Sequence, residues 1–257
     1  NLRASLDWFF DHGDVDRAVR LTGTLWLFWY VHGHVTEARR WMQRALAVAP
    51  DEPSQARAHL LYAAGYLACE QNENEEGLAL LEASIACANA VGAPATAAIA
   101  ASVLSVVRAE TSSSTPDRRA AVAVGEDAVD LAREAGDDYV LAIALNNLGE
   151  VMALLGENER AAAYYEGGLE VRRRIGYMPD HAGVYDRITV REYLEFFADA
   201  FRVPSLSVVD AVLELTDLGK IQDRVVATMS KGMKQRLQLG RILLHDPTGS
   251  LQPHRAR

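Results

Sequence analysis

The sequence has 257 residues and a hydrophobic content of 49%, which is enough apolar material to bury one large core or two ordinary ones. A membrane-spanning helix needs about 18 or more consecutive apolar residues, and no segment reaches that length, since the best run is interrupted by Thr and Gly. The absence of such a run predicts that the chain does not insert directly into a membrane. The formal net charge of −9 makes the chain acidic.

The cysteines and histidines predict neither a disulfide framework nor a metal site. Cys69 and Cys87 are the only cysteines, and no grouping of Cys and His has the spacing of zinc ligands. His32 and His34 flank Gly33, a pattern that favours a solvated turn over the alternative of a metal site. Because no secretion leader precedes the first apolar run, a cytoplasmic location is expected. The chain begins without Met and ends abruptly, so it is interpreted as a fragment.

Two segments of different composition follow each other along the chain. Residues 1–176 contain 15 Arg, no Lys and 25 Asp+Glu, a net charge of −10, whereas residues 177–257 contain 11 Lys+Arg and 10 Asp+Glu, a net charge of +1. The simplest interpretation is two domains, residues 1–175 and residues 176–257. The acidic balance of the first domain disfavours nucleic acid as its partner.

The first segment has the period of amphipathic helices. In "VTEARRWMQRALAVA", residues 35–49, apolar side chains recur at i, i+3, i+4, i+7 and i+8, which places them on one face of a helix. Comparable runs continue to residue 175, separated by short turns that carry Gly, Asn, Asp or Pro. The positions of these turns predict about nine helices. The turns lie at residues 12–14, 32–34, 49–53, 71–74, 91–94, 135–138 and 156–158.

The predicted helices come in pairs with a recurring pattern. Each pair has a small residue on its first helix, a turn residue between the helices, and then a small and a large residue on its second helix. Gly149 stands where two helices must approach closely, and Gly156 makes the turn between them. Ala161 and Tyr165 then supply a small and a large side chain on the second helix. The order recurs in full or in part with Gly65, Asn72, Gly77 and Leu81 and with Gly33, Ala38, Met42 and Pro50. The pattern resembles divergent tetratricopeptide repeats, with a spacing of about 40 residues instead of the typical 34 or so.

This resemblance implies a mainly α, right-handed helical solenoid over residues 1–175. Such repeats stack on their neighbours and leave a concave groove for a protein or peptide, and no catalytic residue is implied. The opening residues also resemble the start of the helical-repeat sensor in large bacterial signalling and transcriptional regulators. An aromatic cluster in this stretch has two interpretations, packing between stacked helices or a ligand surface. Its members are Trp8, Phe9, Phe10, Trp26, Phe28, Trp29, Tyr30 and Trp41.

The second segment predicts two further helices before residue 217. Thr189 is a candidate helix cap, because Glu192 stands three residues later at the spacing of a capping box. Apolar side chains then recur on one side of this helix, and another helix is predicted from about Ser207 to Thr216. We expect exposed apolar surface on the first of these helices, at Tyr193, Phe196, Phe197 and Phe201.

The run "MSKGMKQR" and its flanks resemble the ATP-binding subunit of ABC transporters, from the Q-loop to just past the signature helix. Ser230 and Gly232 keep the usual residues of the signature motif, whereas Lys231 and Met233 depart from them. The resemblance implies that these four residues contact ATP held by the opposite subunit, so that the motif is half of a shared site. A Ser hydroxyl and the N–H groups at a helix N-terminus suit a γ-phosphate. Asp180 stands at the Q-loop position, where the family usually has Gln, and an acidic side chain there could hold Mg²⁺.

Several parts that ATP hydrolysis requires are missing from the sequence. There is no G-x-x-x-x-G-K-[ST] run to hold the β- and γ-phosphates. After "LLHDP" the family continues with a strand that ends in Asp-Glu-Pro, but here the chain goes directly to "TGSLQPHRAR", which resembles the D-loop with Gln252 in place of Asp. We therefore expect no enzyme activity and no cofactor bound autonomously, with ATP and Mg²⁺ contacted only in trans.

Two functional interpretations follow. The favoured one is a protein–protein interaction scaffold of repeats fused to a non-catalytic ABC remnant. The chain has two apparent junctions, one at residues 170–176 and one between "LLHDP" and "TGSLQPHRAR". At each of them the local sequence fits both of the segments that it would join. This is the pattern expected of a chimeric or truncated gene product. The alternative is a partial ABC ATP-binding subunit that contributes its signature motif to ATP on a partner subunit. The expected partners are accordingly a protein or peptide in the groove and another ABC subunit.

Overall fold

The computed structural model describes residues 2–175, 185, 187–203 and 207–244. These residues are almost entirely helical, which confirms the predicted mainly α class. Contacts between backbone positions divide the chain into two units, Asn1–Val171 and Arg172–Arg257. The helices are α1 Leu2–Asp11, α2 Val15–Val31, α3 Val35–Val48, α4 Gln55–Glu70, α5 Asn74–Ala90, α6 Pro94–Thr111, α7 Thr115–Ala135, α8 Asp138–Leu154, α9 Asn158–Arg172, α10 Val190–Ala200, α11 Ser207–Leu215 and α12 Lys231–Leu244.

Seven of the eight junctions between helices α1–α9 lie where the sequence predicts turns, whereas the junction between α6 and α7, at residues 112–114, was not among the predicted turns. Gly156 has φ +77° and Gly136 has φ +64°, a left-handed conformation that glycine adopts without the steric cost of a Cβ. Asn72, at the predicted turn between α4 and α5, is also left-handed, with φ 62°. Several helix starts are capped by a side-chain oxygen that accepts from the N–H three residues on. These caps are Asp14, Ser54, Ser114 and Asp137.

Small residues set the closest helix crossings in the first unit. A Cβ added at Gly77 would lie 3.0 Å from the carbonyl oxygen of Gly65 and on top of the Cys69 thiol, so α4 and α5 touch almost backbone to backbone. A Cβ at Gly149 would lie 2.8 Å from the Tyr165 ring, which packs α9 against α8. These are the close approaches that the repeated glycines predict. The solenoid arrangement and its handedness stay predictions.

The core of the first unit runs through α4, α6 and α8. Nine of the 16 residues of α4 are buried, because α2, α3, α5 and α6 all pack against it. The helices α6 and α8 are similarly enclosed. Alanine and leucine dominate these helices, which allows close contact on several faces at once. A helix that is apolar all round is expected to lie inside the fold.

The second unit is built around the three helices α10, α11 and α12. Their buried side chains form one core, and two short 3₁₀ turns, Gly219–Ile221 and Val226–Thr228, connect α11 to α12. The predicted capping box is confirmed: Thr189 Oγ1 accepts from the Glu192 N–H at 3.2 Å, and the Glu192 carboxylate accepts from the Thr189 N–H at 2.7 Å. These hydrogen bonds hold the pKa of Glu192 below its ordinary value.

One expectation for α10 is wrong in part. Tyr193 is fully buried, because α11 and α12 cover the face of α10 that carries it. Phe197 is half-buried against the same core. Phe196 and Phe201 are exposed as expected, with 49% and 42% of their surfaces accessible. The sequence indicated the apolar side of α10 but not that the neighbouring helices form a core of their own.

Candidate functional site

The signature segment forms the start of α12. Ser230 precedes the helix, and its Oγ accepts from the Met233 N–H at 3.3 Å while its carbonyl accepts from the Lys234 N–H at 2.9 Å. Serine suits this position because its side-chain oxygen satisfies one of the N–H groups that a first helical turn leaves without a partner. The structure thus brings Ser230, Lys231, Gly232 and Met233 together in one turn.

This turn faces solvent. Ser230, Lys231 and Gly232 are exposed, and a Cβ placed on Gly232 meets nothing within 4 Å. The backbone N–H groups of Lys231 and Gly232 find no acceptor within the described parts of the chain. Two open donors at the positive end of a helix dipole suit an anionic group such as a phosphate.

The charge of α12 has the same sign along its length. Its sequence contains four basic residues and no acidic one. Arg236 pairs with Asp217 at 3.2 Å, and the Arg241 guanidinium lies 5.2 Å from the centre of the Phe197 ring. An anion near the start of α12 would therefore meet a positive potential from the helix dipole and from the lysine at its first position.

Packing against α10 and α11 fixes the direction of α12. Leu237 and Leu244 are buried in the common core. A Cβ on Gly240 would lie 3.1 Å from Val212 of α11 and 3.3 Å from Leu194 of α10, so the three helices meet closely at this glycine. Met229, just before the cap, is also buried. The exposed turn is consequently held at both ends by side chains in the core.

The other predicted cofactor-binding residue is not placed with this turn. Asp180, at the Q-loop position, lies outside the described residues, as does Gln252 of the D-loop-like end. The interpretation of both positions stays a prediction. Among the described residues no group of three or more His, Cys, Asp and Glu side chains could hold a metal ion.

A second concave feature lies within the first unit. It encloses about 490 Å³ between α2, α4, α6 and α8, and we call it the aromatic groove. Small and aliphatic side chains contribute the rest of its wall. Its ring-bearing residues are Trp26, Tyr30, His59, Tyr62, Tyr66 and Tyr139.

The rings of the aromatic groove pack on one another in edge-to-face and tilted pairs. The centre of the Trp26 ring lies 5.5 Å from that of Tyr62, at an interplanar angle of 88°, and 5.0 Å from that of Tyr66. Tyr30 meets Tyr66 at 5.4 Å and 87°. Aromatic pairs favour such geometries, which hold the groove in a fixed shape.

Burial favours the neutral forms of three side chains that line the aromatic groove, by shifting their pKa values. Burial raises the pKa of Tyr62 and of Tyr66 well above the ordinary tyrosine value. Burial also lowers the pKa of His59, although a hydrogen bond to the Gly23 backbone opposes it. The groove therefore presents apolar rings, phenolic hydroxyls and a neutral imidazole.

Part of the aromatic cluster predicted from the sequence packs in the core, and the ligand-surface interpretation of the rest stays a prediction. Trp29 is buried, and Phe10 and Trp41 stack on each other at 5.9 Å in the core around α3, so these rings serve packing. Trp26 and Tyr30 line the aromatic groove. Sequence reasoning missed the contributions of α4 and α8, although the spacing of His59, Tyr62 and Tyr66 places three rings on one helix face.

None of the described helices combines the length and the apolar character needed to cross a bilayer. This finding agrees with the absence of a long apolar run in the sequence.

Comparison with known proteins finds similarity in the second part of the chain. Residues 159–251 match the family model described as ABC transporter. The match begins inside α9, ahead of the change in composition near residue 176 and of the boundary between the two units. Residues 159–171 therefore fall within both the matched region and the first unit.

Individual ATP-binding proteins show the same similarity. The bacitracin transport ATP-binding protein BcrA of Bacillus licheniformis is 33% identical over 108 residues, which is 39% of this chain and 34% of that protein. The ABC transporter ATP-binding protein NatA of Bacillus subtilis (strain 168) is 35% identical over 85 residues, 30% of this chain and 33% of that protein. Human ATP-binding cassette sub-family A member 2 is 28% identical over 99 residues, 34% of this chain and 4% of that protein.

The chain spans about a third of the length of the two bacterial proteins and far less of the human one. The signature residues of α12 lie within the matched region. Residues 159–251 are therefore similar to a part of the ATP-binding proteins of ABC transporters.

Proposed function

We propose that the chain is a binding protein in which residues 1–175 act as a helical-repeat scaffold for a protein or peptide. The observation that supports this function is the aromatic groove, whose wall is contributed by four separate helices of the first unit. A site assembled from equivalent positions of successive helix pairs is what stacked repeats provide. Concave, mainly apolar sites with a few polar groups are also the usual form of binding sites.

Selection from a random linear-peptide library tests the scaffold. The full chain is expected to enrich peptides that an Ile143→Asp variant no longer retains, because Ile143 lines the aromatic groove and a carboxylate there would be costly to bury. Leu169→Asp is the matched control, since Leu169 is 54% exposed on α9 and does not line the groove. Equal enrichment by all three proteins would refute a binding site in the groove.

We further propose that the ABC-related residues contact ATP only in trans and do not hydrolyse it alone. The solvent-facing turn of Ser230, Lys231 and Gly232, with two open N–H donors, supports a contact with phosphate from one side. A complete site would also need the phosphate-binding loop and the metal ligands that phosphoryl transfer uses. The partner in this proposal is another ABC ATP-binding subunit.

Calorimetric titration of the chain with Mg-ATP tests this second function. The expected result is no saturable binding below the millimolar range, with the same result for Ser230→Ala, because one side of a shared site gives only weak contacts. Phosphate release above background is likewise not expected. Tight binding, or hydrolysis by the chain alone, would reveal a nucleotide site contained within one chain.

A further inference from the structure

Three carboxylates extend the aromatic groove at one end. Each stands in the last turns of a helix whose earlier residues line the groove, and helical periodicity places it on the same face. Tyr30 also donates a hydrogen bond to the Glu70 carboxylate at 3.0 Å, which joins the aromatic wall to the acidic end. The groove residues and the carboxylates that follow them are Tyr66 and Glu70 on α4, Val103 and Glu110 on α6, and Asn147 and Glu150 on α8.

The carboxylates lie near enough to affect one another. Burial, with a further contribution from the charge of Glu110, raises the pKa of Glu150. Burial also raises the pKa of the Cys69 thiol, to which the charges of Glu70 and Glu110 both add. The acidic end is therefore a negative surface to which α4, α6 and α8 each contribute one carboxylate.

The described residues leave this negative surface without a compensating ion pair. Glu70, Glu110 and Glu150 have no salt bridge there, and the nearby Arg118 donates instead to backbone carbonyls, including that of Leu154. Carboxylates near helix C-termini are unfavourable, because the helix dipole is negative at that end. Three of them on neighbouring helices give a cost to the free protein that a bound cation would reduce.

We infer that the aromatic groove and its acidic end bind a cationic segment of a protein, one that carries Arg or Lys beside apolar residues. The inference rests on the proposed scaffold function and names the chemistry of its partner. Guanidinium and ammonium groups would meet the carboxylates, and they also bind to the faces of Trp and Tyr rings. The wall of the groove contains no Arg or Lys that would repel them.

The separation of the carboxylates points to a polypeptide and not to a metal ion. Acidic side chains in the described ranges form no group of three that could hold a metal. They occupy three different helices, so separate basic side chains along an extended segment match them better than a single small ion does. Apolar residues of that segment would fill the neighbouring aromatic groove.

The peptide selection described above provides the test when it is repeated with charge variants of the full chain. Peptides enriched through the groove are expected to carry net positive charge. Their affinity should fall about tenfold for Glu110→Gln/Glu150→Gln, and it should also fall when salt is added. Glu159→Gln/Glu166→Gln is the control, because it makes the same change in net charge at exposed positions of α9 outside the groove.

The outcomes separate the inference from the function on which it rests. Cationic peptides that lose affinity with the Glu110 and Glu150 variant, but not with the control, support the inference. Groove-dependent peptides without positive charge would overturn it and leave the scaffold function intact. Equal loss in both charge variants would also overturn it, since the effect would then be one of net charge alone. No groove-dependent enrichment would overturn both.

Discussion

Leu213→Ala is expected to lower the free energy of unfolding of the second unit by about 2–5 kcal/mol. Leu213 is only 2% exposed, and it lies in the core that α10, α11 and α12 share. Truncation to Ala removes apolar contacts and leaves a cavity that the surrounding helices fill only in part. The effect is expected to be large because α10, α11 and α12 all pack on this one core.

Hydrogen exchange of the full chain measures this effect at individual amides. Those of α10, α11 and α12 should exchange much faster in Leu213→Ala than in the unmodified chain. Leu215→Ala is the matched control: it makes the same change two residues later on α11, at a side chain that is 63% exposed. Its effect should stay within about 0.5 kcal/mol. Similar losses from both variants would contradict the packing of α11 described here.

Gly77→Ala is expected to destabilise the first unit by about 1–3 kcal/mol. The direction of this change in stability is informative, because Ala is favoured over Gly inside a helix by about 1 kcal/mol. The new methyl group would collide with the Cys69 thiol and lie 3.0 Å from the Gly65 carbonyl oxygen. Since Gly65 contributes a backbone atom, relief requires α5 to move away from α4 and lose contacts along the helix pair.

Denaturant unfolding followed by circular dichroism tests the Gly77 crossing. Gly167→Ala serves as the control, because a methyl group there would meet only Leu145 at 3.8 Å, an ordinary contact, and the variant should be neutral or slightly stabilising. Adding Cys69→Ala to Gly77→Ala should recover part of the loss by removing the sulfur, which a double-mutant cycle would detect. If Gly77→Ala proves stabilising, α4 and α5 do not cross at this glycine.

Local signals in the sequence predicted the helix boundaries well. Gly136 and Gly156 mark turns because they take left-handed conformations that other residues adopt only at a cost. Thr189 and Glu192 predicted the start of α10, since the two hydrogen bonds of a capping box involve residues three apart. In each case the physical cause lies within a few residues of the chain, where a pattern can report it.

The assignment of aromatic rings to core or groove could not be predicted in the same way. On α4 the residues around Tyr62 are apolar on every side, so the sequence shows no polar face that would tell which side meets solvent. Trp26 and Trp29 are three residues apart on α2, yet one lines the aromatic groove and the other is buried in the core. Their environments depend on the packing of helices that are distant along the chain.

The candidate nucleotide contact was predictable because it occupies one short stretch. Ser230 to Met233 form a single turn, so their proximity follows from the sequence once a helix begins there. The acidic end of the aromatic groove is different, since Glu70, Glu110 and Glu150 come from three helices. Their proximity depends on how helices that are distant along the chain pack together, which no local pattern in the sequence reports.

The cap at the start of α12 matters for protein engineering. Ser230 holds the helix through its Oγ, and aspartate caps helices about as well as serine does. A redesign that selects only for thermal stability would therefore accept Ser230→Asp, because the helix dipole would stabilise the added negative charge. The same carboxylate would repel a phosphate approaching this turn. Stability and the proposed phosphate contact thus place opposite demands on one side chain, so a thermostable variant of this region needs a separate check that position 230 is still a neutral hydroxyl.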